Sequence, residues 1–303
     1  MNAYQQGLIM MACISVINVS AIFAMTGLGG MFSLGQAAYM AIGSYMTYIL
    51  MWKLQLPILF CGTVAVAASA LVAWIISIPT LKLRRDYFAL LSVAFGQMVF
   101  ALIILFPKFT NGAIGFSRIP RVKNLFWIMI GITALVVFCI RNLKYSRFGR
   151  MLIALKTDEI TAKSFGIDVY HLKIKIYVLA SSIAGLAGIL YGLRTRVIDP
   201  DAFSWALSAE MQIFMFFGGT NSLTGAAISA FLLKLLPETL RNIKIFGQSI
   251  QEYRTVIYCI LIIIVINFRP QGLLGEQELN IRAIVKKAAA LIKKFPGKGK
   301  SHG

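Results

Sequence analysis

Long runs without a charged side chain alternate with short basic connections along this chain. Residues 1–52 carry no charge, and further uncharged runs cover 54–81, 87–107, 125–140 and 176–193. A bilayer-crossing helix needs roughly 17 to 25 predominantly apolar residues, and these runs are about that long. Only helices and closed barrels satisfy every backbone group in hydrocarbon, and the runs lack the period-two alternation of barrel strands. The pattern therefore predicts an all-α, polytopic membrane protein. Helices are expected near 7–25, 36–52, 57–78, 87–106, 125–140, 176–193, 205–217, 226–236 and 256–267, with about 8–10 crossings as the range and the last three short for full ones.

Composition strengthens the membrane reading, with 58% hydrophobic residues, 14% charged and a mean hydropathy of +0.77. The formal net charge of +19 raises nucleic acid as a partner. Its basic residues, however, lie between the apolar runs and in the tail, as topogenic signals do, and form no stripe, which argues against that partner. With the N-terminus outside, Lys82, Arg84, Arg85, residues 141–175 and the tail fall on one side, which the positive-inside rule makes cytoplasmic. Lys108, Arg118, Arg121 and Lys123 then lie outside and fit less well. Residues 1–6 hold no basic side chain and 7–25 are long enough to span, so this stretch reads as a retained first helix.

Chemistry is sparse. Cys13, Cys61, Cys139 and Cys259 sit singly in apolar runs, which suits packing and gives no metal site. His171 is the only histidine outside the extreme tail, so no hydrolase constellation is expected. Gly299-Lys300-Ser301 would end a phosphate loop, but Lys294 stands where its first glycine belongs. The chain is thus expected to be no enzyme, with no catalytic residue, metal or cofactor of its own.

A repeat is more informative. Gly29-Gly30-Met31-Phe32-Ser33-Leu34-Gly35-Gln36-Ala37-Ala38 returns as Gly218-Gly219-Thr220-Asn221-Ser222-Leu223-Thr224-Gly225-Ala226-Ala227. Two arrangements suit such sequence. One is a helix interrupted inside the membrane, its following half pointing a positive N-terminal end inward; the other is tight glycine packing or simple turns. Glu210 lies within an apolar run, so it faces protein or water, either lining a pathway or pairing structurally. Between the fifth and sixth runs, residues 149–175 are longer than an ordinary helix connection, and Asp158, Glu159, Ala162 and Gly166 suggest a short amphipathic helix closed by glycine. That length predicts a docking surface. Ser181, Ala184, Gly185 and Gly188 mark a helix face for close packing, and Asp86 complements a helix N-terminus.

Four stretches carry a resemblance: GLGGMFSLGQAAYMAIGSY from Gly27, LRRDYFALLSVAFGQ from Leu83, SRFGRMLIALKTDEITAKSFGI through AGLAGILYG, and FFGGTNSLTGAA followed by FRPQGLLG from Phe268. Together they resemble the permeases of branched-chain amino acid ABC transporters, specifically the M-type partner of a two-permease system. The resemblance implies a permease domain over 1–275, with a cytoplasmic coupling segment at 141–175, in a bacterial inner membrane; beyond it, the basic residues of 276–303 read as a cytoplasmic tail beside anionic lipid. It implies a second permease, two ATP-binding subunits and an external solute-binding protein delivering leucine, isoleucine or valine. Arg150, Lys156, Asp158, Glu159, Ala162 and Gly166 are the implied coupling residues. Gly30, Ser33, Gln36, Glu210, Asn221, Ser222 and Thr224 are the candidates for lining the pathway. Three alternatives stay open: import of urea, short amides or another small polar solute; an ion-coupled carrier using Glu210 and Asp86; and a scaffold without transport.

Overall fold

The computed structural model describes residues 3–83, 85–117, 119, 122–239, 244–245, 248–249 and the single positions 256, 260, 263, 267, 272 and 275. The basic tail and most of the ninth expected span lie outside the described residues. Each of the other eight expected spans falls on a helix, so the all-α polytopic class is observed. These are α1 (Ala3–Ile22, continued by a π-helical turn at Phe23–Leu28), α2 (Gln36–Leu54), α3 (Ile58–Thr80) and α4 (Arg85–Leu105). After a short α5 (Pro107–Thr110) come α6 (Leu125–Tyr145), α7 (Arg147–Thr157), α8 (Glu159–Ser164), α9 (Val169–Thr195), α10 (Trp205–Gly218) and α11 (Leu223–Thr239).

Among the described residues, five of these helices are long and apolar enough to cross a membrane: α1 with its π turn, α3, α4, α6 and α9. The 19-residue α2 is not among them: Gln36, Lys53 and three tyrosines lower its hydropathy, and its Gln36, Ser44 and Thr47 are fully buried in protein. A helix shielded by its neighbours does not need an apolar surface. The reverse holds for α3, α4 and α6, which present Leu71, Trp74, Leu90, Leu105, Trp127, Leu135 and Phe138 outward. Such a belt would be a liability in water, but it is the expected surface toward lipid.

At the centre α1, α2 and α9 pack together, with α3 against α2 and α9 and with α10 and α11 against α1. Small residues make this possible, since there is little hydrophobic drive between helices in lipid and close backbone approach must hold them. A Cβ on Gly43 of α2 would fall on the carbonyl of Gly185, and one on Gly188 of α9 would fall on that of Met40. Several hydroxyls at depth are satisfied within their own helices: Ser20 donates to Val16 O at 2.7 Å, Thr47 to Gly43 O at 2.8 Å and Ser69 to Ala65 O at 3.0 Å. At one end the two-residue strands β1 (Phe116–Ser117) and β2 (Val197–Ile198) pair antiparallel and tie the connection before α6 to that after α9.

Candidate functional site

The opposite end of the bundle carries α7 and α8. Ser146 caps α7, accepting from Gly149 N at 3.1 Å, and Leu152 and Leu155 bury its inner face. Asp158 caps α8 by accepting from Ile160 N at 2.9 Å and from the Thr161 hydroxyl at 2.5 Å. The Thr161 bond, aided by the backbone ones, holds this carboxyl below its usual range. Burial works to raise Glu159, but Lys173 at 2.7 Å and Lys163 at 3.2 Å outweigh it and leave the carboxyl low. Ala162 is buried beneath α8. Gly166, at φ +78°, then stops the helix as the sequence indicates, with Ile167 N returning to Ala162 O at 3.2 Å. One connecting segment thus contains two short helices rather than one.

Lys156, the last basic residue of α7, reaches back into the bundle. Its Nζ donates to the Gly27 carbonyl at 2.8 Å and to Asn221 Oδ1 at 2.7 Å. Lys144 of α6 donates to the Asn221 carbonyl at 2.5 Å. A single lysine therefore joins α7 to the π-helical end of α1, two residues before the first repeat, and to the second repeat. Arg150 points elsewhere and bonds the Tyr145 carbonyl at 3.1 Å. Outward from the bundle, Ile160 and Phe165 stand 77% and 81% exposed, an apolar pair with no cover among the described residues.

The two repeats differ in geometry. In the first, residues 29–35 are not helical, and α2 begins only at Gln36. Leu34 N donates to the Ser92 hydroxyl at 2.9 Å, and Ser92 lies seven residues into α4, about 10 Å along it at 1.5 Å per residue. The chain therefore breaks inside the bundle, and protein groups satisfy the freed backbone, as membrane-embedded irregular structure requires. Thr26 donates to Met31 O at 3.0 Å, Gln212 to Ser33 O at 2.9 Å, and Ala37 N to the Ser208 hydroxyl at 2.9 Å. Gly30 adopts φ +67°, Ser33 is fully buried, and so is Gln36, whose Oε1 meets no donor among the described residues. The second repeat is a tight turn from α10 to α11. Gly219 takes φ +116°, Ser222 accepts from Gly225 N at 3.1 Å, and Thr224 lies 3.2 Å from the Ser222 hydroxyl. Asn221 of this turn sits beside α7, and Gly30 lines a cavity of about 250 Å³ at the same end, with Lys82, Glu159 and Lys173.

Glu210 alone of the pathway candidates lines the cavity formed by α1, α2, α9, α10 and α11, whose volume is about 570 Å³. Its Oε1 lies 3.1 Å from Lys234 Nζ on α11, and both side chains remain partly open to the cavity. Asn18 closes one side of this space, with Nδ2 3.1 Å from Met40 Sδ and Oδ1 unpaired. Sequence reasoning overlooked Lys234 and Asn18. Lys234 was within reach, since an ionisable residue in the 226–236 run raises the same question as Glu210; Asn18 gave no signal beyond one amide in an apolar helix.

Residues 4–266 match the model of a family described as the permease component of branched-chain amino acid transport systems. The chain is 27% identical over 297 residues to the high-affinity branched-chain amino acid transport system permease protein LivM of Salmonella typhimurium, covering 87% of this chain and 68% of that protein. It is also 27% identical over 286 residues to LivH of Escherichia coli K12, covering 84% of this chain and 89% of the relative. It spans about two thirds of the length of the LivM proteins it matches. A solved structure, PsaBC from Streptococcus pneumoniae in complex with Fab, aligns over 86% of this chain and 90% of its own with 17% identity and a TM-score of 0.49. With a family match across most of its length, a multi-pass helical bundle and the motifs that bear the resemblance, this chain belongs to the permease components of branched-chain amino acid transport systems.

Proposed function

We propose that this chain is the membrane-spanning permease subunit of an ABC importer that carries leucine, isoleucine or valine across a bacterial inner membrane. It works with a second permease, two ATP-binding subunits and an external solute-binding protein. ATP hydrolysis belongs to the partners.

The observation that carries this reading is the arrangement of α7 and α8. The pair is fixed to the bundle through Lys156 while Ile160 and Phe165 stay exposed. An exposed apolar pair is a docking anchor when a partner covers it. Closure of the ATP-binding subunits would push on residues 150–166, and Lys156 would pass that displacement to the break before α2 and to the α10–α11 turn. The interfaces at both places are packed and discrete, the condition for a small shift to switch a cavity between two states.

Cysteines at Ile160 and Phe165 test the docking directly. They are expected to cross-link to an ATP-binding subunit in the assembled complex, with the extent changing when ATP is added. Cross-links from Leu71 but none from these two positions would refute it.

A further inference from the structure

We infer that the cavity of about 570 Å³ between α1, α10 and α11 is a site for the zwitterion of an aliphatic amino acid, with Glu210 and Asn18 facing the ammonium and Lys234 the carboxylate. This deepens the importer reading and rests on it.

Three features of the cavity point the same way. Its volume lies within the range of about 300 to 1,000 Å³ typical of small-molecule sites. Its walls are mostly apolar, with Met11, Ile14, Met40, Leu207, Met211 and Ile213 available to an aliphatic side chain. Against them stand the Glu210–Lys234 pair and one buried amide, the complement that a zwitterion needs, together with a second acid, Asp201, which is exposed.

Asn18 is the independent witness. It is 1% exposed, its amide nitrogen has only the weak acceptor sulfur of Met40, and its Oδ1 has no donor in the described protein. A buried amide oxygen without a donor is unfavourable, which favours a ligand that brings one. A turn of the amide toward the cavity would let an ammonium there supply the missing donor.

The Glu210–Lys234 pair is suited to exchange. Its side chains keep 18% and 24% of their exposure, so it is neither dry nor freely solvated. A zwitterion entering between them gives each charge a new partner and leaves no net charge buried. A carboxylic acid or amine of the same shape would neutralise one residue and strand the other, which is the physical basis for rejecting it. The same exchange would let the site release its solute, because the pair re-forms behind it.

The test is ATP-driven leucine uptake in proteoliposomes containing the complete transporter, with assembly and ATP hydrolysis measured alongside. Variants are Glu210→Gln, Lys234→Met, Asn18→Leu and the charge-swapped pair Glu210→Lys with Lys234→Glu. A structural ion pair is restored by the swap, whereas a site of fixed polarity is not, because Asn18 and the apolar wall stay where they were. The expected result is assembled complexes in which each single charge variant and the swap lower uptake on the order of tenfold, with 4-methylpentanoate and 3-methylbutylamine failing to compete in the wild type. Uptake by the swap equal to wild type overturns the site while leaving the importer reading intact. A wild-type complex without ATP-driven leucine uptake overturns the importer reading itself.

Discussion

Lys156 shows how much one side chain can connect. It is part of α7 by sequence, yet its ammonium satisfies a carbonyl at the end of the first helix and an amide oxygen in the α10–α11 turn. Lys156→Met keeps the aliphatic stem and removes both bonds. The expected outcome is an assembled transporter whose ATP hydrolysis persists while leucine uptake falls on the order of tenfold, the scale of a typical coupling free energy. Measuring the two rates on the same proteoliposomes checks this, and equal losses in both would show that Lys156 only stabilises the fold. Glu159 makes a second prediction at this scale. Its carboxyl is held below its ordinary value of 4.5 once the two lysines outweigh burial. Its contribution to stability is therefore full above that value and disappears as pH falls through the lower folded value. Hydrogen exchange in α8 should be flat from neutral pH to about 5 and accelerate in more acidic buffer beyond the intrinsic rate change; Glu159→Gln should abolish that acid-dependent step.

At the scale of elements, close approach of α2 and α9 decides whether the bundle forms. Gly188→Val would place a branched side chain against the Met40 backbone, and overpacking of this kind typically destabilises by about 1–3 kcal/mol. Gly131→Ala, on α6 with open space around its Cα, should be neutral. Thermal unfolding of the two purified variants compares them, and a Gly188→Val protein as stable as wild type would contradict the packing described. Most of these elements were legible in the sequence because lipid imposes a simple rule on helix length and charge. Eight expected spans match eight helices, and even the glycine stop at Gly166 is where turn chemistry puts it. What sequence left open was the geometry of the repeats. Identical Gly-Gly and Ser-Leu pairs serve an embedded break in one copy and a tight turn in the other, since the choice depends on neighbours. Ser92 and Gln212 receive the first copy, while Lys144 and Lys156 hold the second. The candidate site was less legible still. Glu210 stood out as a charge in an apolar run, but its partner Lys234 and the unpaired Asn18 become a site only when α1, α10 and α11 come together.

For the whole molecule, the two ends and the middle form one proposed machine: a docking pair at α7–α8, a lysine link into the bundle, and a cavity enclosed by the helices that link touches. In this proposal the docking end faces the cytoplasm, the side to which the positive-inside rule assigns the basic connections. The central claim is that this chain moves a branched-chain amino acid only when partner subunits act on residues 150–166. The most direct measurement is radiolabelled leucine uptake into ATP-loaded proteoliposomes holding the chain with its second permease, ATP-binding subunits and binding protein, compared with liposomes holding the chain alone. The account predicts ATP-dependent accumulation in the complete set, its loss when 150–166 is disrupted in an assembled complex, and none with the chain alone. Leucine accumulation by the isolated chain, driven by an ion gradient and indifferent to ATP, would contradict it.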